Sequence, residues 1–442
     1  MSLEKMNAMN GRTCACGREH RFASRVITGM GVLASLPEEI GRLGGTKAFL
    51  LSDKNTWKAA GERACRYLTE AEIPVISFSF PENQPEPDER SVGAAVMHMD
   101  AGCDIIVAAG SGVINDIGKI MSAVSGKPYI IVATAPSMDG YASATSSMNR
   151  SGLKISLPSR CADTIIGDGE ILCAAPMKLL HSGLGDMLAK YISICEWRIA
   201  HLLLGEYYCE DVAQLIREAV AQCVSQADGL LERKPEAVMA VFEGLIIGGV
   251  AMNYAGVSRP ASGVEHYISH VLDMRAVEFG WEAELHGIQC AMGTRIAAEL
   301  YEKLKRFTPD RERALAWAAA FDGEAWNATL RNMLGKGAES MIALEKKEKK
   351  YDVAAHGKRL ERILALWPRL LEIMEAEIPT VQALDALYEK LELPRSLQDI
   401  GQDAALLPTV LRCTKDIRDK YVLSRLVWDL GIEKEIFGNE RV

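Results

Sequence analysis

The chain has 442 residues, with 50 Lys and Arg against 59 Asp and Glu, a formal charge of −9, and 48% hydrophobic residues. That length accommodates two or three domains with sizeable cores and excludes a disordered composition. The acidic balance, without any Lys/Arg-rich run, excludes a chain-wide nucleic-acid or anionic-membrane footprint but leaves room for a local basic pocket around a small phosphate. The 11 cysteines, an odd number without repeating spacing, read as reduced thiols of a cytoplasmic protein. MSLEKMNAMN lacks the apolar stretch of a secretory signal, and no run reaches about 18 uninterrupted apolar residues, so neither export nor membrane insertion is expected.

The first third alternates short apolar runs with amphipathic stretches. KAFLLSD (47–53), IPVISFSF (73–80), CDIIVAAG (103–110) and PYIIVATA (128–135) read as strands. Helical patterns fill the gaps at 56–71, 88–101 and 113–124, which predicts a parallel sheet with helices on its faces and ligands at the strand C-termini. PENQPEPD (81–88) reads as a surface turn, with Asp88 capping the next helix. From 143 to 172 the Ser/Thr- and Gly-punctuated pattern, including SGLKISLPSR and DTIIGDGEIL, reads as hairpins or an excursion from the sheet. Beyond Pro176 the periodicity is helical at 179–204, 207–231, 236–254, 286–304 and 357–375, and EKKEKKYD (345–352) reads as a solvated turn. The expected division is an α/β domain over 1–175 and an all-α domain over 176–442.

AAGSGVINDIGK (108–119) is a strand end, a Gly-Ser-Gly turn and a helix start, a layout that offers backbone N–H groups and a positive dipole end to a pyrophosphate. It departs from GxGxxG because Asn115 stands where a third glycine belongs, and a plain βα junction remains the alternative. Asp53 ends a strand where it can bind an adenosine ribose, or else cap the following helix. In ATAPSMDGYASATSSM (133–148), Thr134 and Ser137 are candidates for the cofactor and Asp139 for substrate hydroxyls; a turn held by its own side chains is the other reading.

Of the eight histidines, three fall within residues 262–287. His266 and His270 are four apart and share one helix face, and His286 can complete a mixed N/O set for a divalent cation with a carboxylate such as Asp186. Chance HxxxH pairs are common, and Asp186 can simply cap a helix. CACGREH (14–20) is also metal-like, yet CxC with one His lacks a second chelating half and reads as structural or incidental.

Taken together, GSGVINDIGK, ATAPSMDGYAS, LGDMLAK, SRPASGVEHYISH, HGIQCAMGT and the closing KYVLSRLVWDLG resemble the sn-glycerol-1-phosphate dehydrogenase branch of the glycerol dehydrogenase and iron-containing alcohol dehydrogenase superfamily, over nearly the whole chain. The resemblance implies an N-terminal NAD(P)-binding domain, a C-terminal helical domain that binds metal and substrate, and a dehydroquinate synthase-like fold. It implies that Asp186, His266 and His286 hold one divalent metal, zinc or nickel before iron, and that Asp139, Asp186 and His270 line the substrate. Gly110, Gly112, Val113, Ile114, Asn115 and Asp116, the run Thr134, Ala135, Pro136 and Ser137, and also Ser143 and Asp53 would hold NAD or NADP. Val113 and Ile114 depart from the Thr or Lys-Thr that relatives often carry in the turn. The implied reaction moves hydride between C4 of the nicotinamide and C2 of dihydroxyacetone phosphate, with His270 orienting substrate or relaying the proton, and feeds glycerophospholipid-type synthesis. A phosphorylated ketone or alcohol as substrate and a homo-oligomer are expected. Arg259, and after it Lys154, are the candidates for the phosphate, against surface pairing of Arg259 with a carboxylate. A polyol dehydrogenase, a lyase of the dehydroquinate synthase type that uses NAD only transiently, and a silent NAD- or metal-binding protein are the competing functions.

Overall fold

The computed structural model describes residues 2–82, 85–150 and 153–438. Positions 83 and 84 of the expected surface turn and 151 and 152 of the SGLKIS stretch lie outside the described residues. The chain divides into two compact units, Met1–Met187 with Asp211–Gly256, and Leu188–Glu210 with Val257–Val442.

In the first unit a helix over Ser2–Met9 is followed by a short antiparallel hairpin, β1 (Arg12–Thr13) and β2 (Glu19–His20). Its sheet is built from β3 (Arg25–Gly29), β4 (Ala48–Asp53), β5 (Val75–Phe80), β6 (Ile105–Gly110) and β7 (Tyr129–Ala133). An antiparallel hairpin of β8 (Thr145–Arg150) and β9 (Leu153–Pro158) precedes the last sheet strand, β10 (Thr164–Asp168). All sheet pairings are parallel, in the order β3-β10-β7-β6-β4-β5. Strands β4, β6, β7 and β10 are buried along their whole length, as apolar runs covered on both faces must be.

The four strands expected from the sequence are present; β3 and β10 are not among those expected. DTIIGD is not part of a hairpin, as the Gly-punctuated pattern suggested, but a parallel strand with Ile165 opposite Ile131 and Val26. The ending is a capping device. Buried Asp168 accepts from the backbone N–H groups of Gly31, Leu33 and Glu170, each at 3.0 Å. Asp88 caps its helix as expected, accepting from Ser91 N–H at 2.8 Å.

The helices that matter for the site are α1 (Gly112–Ser125), α2 (Met177–Leu188), α3 (Glu210–Ser225), α4 (Pro235–Ala255), α5 (Val264–Phe279) and α6 (His286–Lys305). The expected helix over 179–204 is broken at Ala189, and the one over 207–231 starts at Glu210 and breaks at Gln226. EKKEKKYD is helical as far as Glu348 and turns only from Lys349. Helix α4 is long and apolar enough by length and composition to cross a membrane, but 78% of its most apolar window is buried inside the fold.

The division into units differs from a boundary after residue 175, because α2, most of α3 and α4 belong with the sheet. A Cβ on Gly183 of α2 would lie 1.8 Å from the Pro136 carbonyl oxygen, and one on Gly249 of α4 would lie 2.7 Å from that of Asp139. These glycines let two helices press on the loop that follows β7. Helical periodicity alone does not report which core a helix faces.

Candidate functional site

In the first unit, the strand ends place three predicted segments together. Thr134 N–H donates to the Gly110 carbonyl at 3.1 Å, and the hydroxyls of Ser111 and Ser137 are 2.5 Å apart. Buried Tyr141 donates to the Ala135 carbonyl at 2.7 Å, fixing the loop that carries Thr134, Ala135, Pro136 and Ser137. Burial alone pushes its phenol far above the ordinary range. Helix α1 begins without a side-chain cap from Ser111, an arrangement in which first-turn N–H groups and the positive dipole end can take an anion.

The two glycines of the turn differ. A Cβ on Gly110 would sit 2.3 Å from Cβ of Ile114, whereas one on Gly112 would meet only the Met138 side chain at 3.6 Å. Gly110 is required by packing, while a side chain at Gly112 would meet the Met138 side chain in ordinary contact. Among the neighbouring candidates, Ile114 and Asn115 are buried and Val113 is half-buried. Asn115 donates to the Gly140 carbonyl at 3.2 Å and accepts from Tyr129 OH at 3.0 Å. Asp116 pairs with Lys119 at 2.8 Å and accepts from Ser147 N–H at 3.1 Å. Both polar side chains therefore brace the loop and the β8–β9 hairpin. The Ser143 hydroxyl is 2.9 Å from that of Thr145.

Asp53 caps the turn Lys54–Thr56: its Oδ1 accepts from Asn55 and Thr56 N–H, each at 2.8 Å, and Thr56 Oγ1 accepts from Asp53 N–H. Desolvation raises its carboxyl above the usual range despite those bonds. Asp186 is fully buried on α2, and its Oδ2 accepts from Asp139 N–H at 2.9 Å, which joins two candidate carboxylates through one backbone group. It is not a helix cap.

In the second unit, α5 and α6 bring the predicted histidines together. The rings of His266 and His286 have centroids 5.0 Å apart, and those of His270 and His286 are 6.2 Å apart. His266 Nδ1 donates to Glu265 Oε1 at 2.8 Å, an acceptor that also receives Gly263 N–H at 2.7 Å. This leaves Nε2 of His266 to act as a donor of electrons, the arrangement of a metal-ligating imidazole. Ser269 Oγ lies 3.2 Å from His286 Nδ1.

Cys290 was missed in the sequence reading. It is buried, its Sγ is 3.6 Å from His286 Nε2, and ligand atoms of His266, His286 and Cys290 all lie within 4.8 Å of one another. Desolvation raises its thiol pKa, but the two imidazoles outweigh it and leave the group below the ordinary range. The available signal was the spacing H-x3-C, which puts both side chains on one helix face.

Arg259, the first candidate for the phosphate, has other partners here. Buried, it forks onto Glu206 at 2.8 and 2.6 Å and donates to the Tyr421 carbonyl at 2.8 Å, so each of its three nitrogens has a partner inside the second unit. Lys154 is exposed on β9. A basic group not singled out from the sequence stands nearer the histidine helix: Lys420 Nζ donates to the Ser262 carbonyl at 2.9 Å. Burial, with Arg259 and Arg418 nearby, pushes its ammonium down to about 7.

The family profile described as iron-containing alcohol dehydrogenase matches residues 27–176. A glycerol-1-phosphate dehydrogenase (NAD(P)+) of Bacillus licheniformis is 32% identical over 296 residues, covering 66% of this chain and 74% of its own length. The one from Methanothermobacter thermautotrophicus is 33% identical over 292 residues, covering 64% and 80%. Among solved structures, a probable glycerol dehydrogenase from Sinorhizobium meliloti 1021 aligns over 94% of this chain and 99% of its own, with a TM-score of 0.59 and 17% identity. An iron-containing alcohol dehydrogenase from Corynebacterium glutamicum aligns over 97% of each, with a TM-score of 0.59 and 16% identity. These two share the fold; the sequence relatives share more, and the chain belongs to the glycerol-1-phosphate dehydrogenase family within the iron-containing alcohol dehydrogenase group.

Proposed function

We propose that the chain reduces dihydroxyacetone phosphate reversibly to sn-glycerol 1-phosphate with NADH or NADPH and one divalent metal. The observation that carries this reading is the imidazole pair of His266 and His286 with Glu265 fixing the first ring, in a chain about a third identical to named glycerol-1-phosphate dehydrogenases.

The donor set of the second unit fits a borderline-soft dication: two imidazoles and a sulfur lie within 4.8 Å of one another. Such a set favours zinc or nickel over iron. When bound, the metal supplies Lewis-acid polarisation of the substrate carbonyl and the nicotinamide supplies hydride. The chain's own groups do the rest. Glu265 holds His266 in the Nδ1–H tautomer, and the first turn of α1 binds pyrophosphate beside Gly112 with the Thr134–Ser137 run. Asp139, its N–H anchored on Asp186, orients substrate hydroxyls. His270, one helical turn after His266, holds the proton that the product oxygen needs.

With Arg259 committed to Glu206, Lys420 is the basic group assigned to the phosphate. A phosphate dianion beside Lys420 would raise that lowered pKa and draw in the proton that completes the ammonium charge. A cytoplasmic location and a homo-oligomer complete the reading. The first is supported by eleven cysteines that form no disulfide among the described residues. The test is NADH oxidation with dihydroxyacetone phosphate and with unphosphorylated dihydroxyacetone, in protein loaded with zinc or nickel. Equal turnover of both ketones would favour a polyol dehydrogenase.

A further inference from the structure

We propose that the β1–β2 hairpin is a second, structural zinc site, with Cys14, Cys16 and His20 as ligands. The sulfurs of Cys14 and Cys16 and a ring nitrogen of His20 lie within 4.8 Å of one another. Cys16 Sγ is 3.6 Å from His20 Nε2. Zinc with Zn–S near 2.3 Å and Zn–N near 2.1 Å sets tetrahedral edges of roughly 3.5 to 3.8 Å, so this pair already stands at the separation that one shared ion imposes.

The histidine is prepared for the task. It is 1% exposed, and its Nδ1 lies 3.1 Å from the Tyr254 carbonyl, an acceptor that places the proton on Nδ1 and turns the Nε2 lone pair toward Cys16. A ligating imidazole is held in this way, by a hydrogen bond from its other nitrogen. The hairpin supplies the second argument. Its strands have two residues each, with Arg12 opposite His20, and all but His20 are exposed. Such a ladder does not hold itself together in water. Its turn is nevertheless tight: Cys14 N–H donates to the Arg18 carbonyl at 2.8 Å, Gly17 N–H to that of Cys14 at 2.9 Å, and Gly17 has φ +82°. A cation at the sulfurs would staple it.

Entry of zinc displaces the two thiol protons to solvent, leaving two thiolates and a neutral imidazole around the ion. One further donor completes the tetrahedron. Asp211 Oδ2 accepts from Cys14 Sγ at 3.0 Å, through the proton that the zinc would displace. The turn brings His20 back beside Cys16, a proximity that the string CACGREH does not reveal by itself.

The experiment measures metal after exhaustive dialysis of the full chain. The parent should hold two equivalents of zinc, His286→Ala one, and Cys14→Ser/Cys16→Ser one. Parent and double-serine protein with the same zinc content would overturn the site. Should the double variant not fold, the parent is labelled with iodoacetamide and mapped by mass spectrometry. Cys14 and Cys16 should be protected with zinc present and modified at least tenfold faster after chelation; labelling indifferent to zinc would equally overturn the proposal. Cobalt loading of a Cys290→Ser protein gives a further readout, because thiolate-to-cobalt absorption there must come from the hairpin, and its absence speaks against it.

Discussion

Glu265 Oε1 accepts from His266 Nδ1 at 2.8 Å while also receiving the N–H of Gly263 at 2.7 Å, so the helix that supplies the first imidazole supplies its orienting carboxylate as well. Glu265→Gln keeps an acceptor for both donors but removes the charge that makes the imidazole a stronger base. Metal affinity should fall about tenfold and activity with it, as loss of an outer carboxylate does at other metal sites. A competition titration with a chromogenic chelator measures this; unchanged affinity would mean that His266 is not a ligand.

The two glycines of the β6–α1 turn should separate packing from cofactor binding. Gly110→Val drives a side chain into Ile114 and should lower Tm sharply. In Gly112→Val the nearest protein atom is the Met138 side chain, so Tm should hold while NADH affinity drops by an order of magnitude or more by calorimetry. Unaltered NADH binding would move the pyrophosphate away from this turn.

Arg259 and Lys420 should behave as opposites. Arg259→Ala strips a buried fork from Glu206 and should cost about 3 kcal/mol of stability in urea, with equal losses of turnover for the phosphorylated and unphosphorylated ketone. Lys420→Met should raise KM for dihydroxyacetone phosphate at least tenfold and leave slow turnover of dihydroxyacetone unchanged. If Lys420→Met impaired both ketones alike, the phosphate would lie elsewhere.

The same lysine carries a pH signature. Its folded pKa, near 7, lies below the ordinary 10.5, so between these values the unfolded chain binds more protons than the folded one. Its contribution to stability therefore rises from pH 7 to pH 10. Urea unfolding at both values should show that the difference between parent and Lys420→Met shifts in the parent's favour at the higher pH; no such shift would place the ammonium in water.

Much of this was readable in the sequence because its chemistry is local. The buried strands β4, β6 and β7 are continuous apolar runs, and the spacing of His266 and His270 sets their helix face without any knowledge of the fold. What escaped depends on partners distant in sequence. Strand β10 has two apolar residues, Ile165 and Ile166, before Gly167 and Asp168, too few to distinguish from a turn until β3 and β7 flank it. Arg259 sits in a motif beside the histidines, yet its fate is decided by Glu206, 53 residues away. Cys290 became a ligand candidate only when α6 was packed against α5, and helices α2 and α4 joined the sheet unit through glycines whose purpose is the absence of a side chain.

The central claim is a metal-dependent reduction of a phosphorylated ketone, and the most direct measurement is the absorbance of NADH in protein stripped of metal and reloaded with zinc or nickel. The account predicts loss of NADH on addition of dihydroxyacetone phosphate in the reloaded protein only, much slower loss with dihydroxyacetone, and sn-glycerol 1-phosphate as product. No net NADH consumption in fully loaded protein, or the same rate with chelator present, would contradict it.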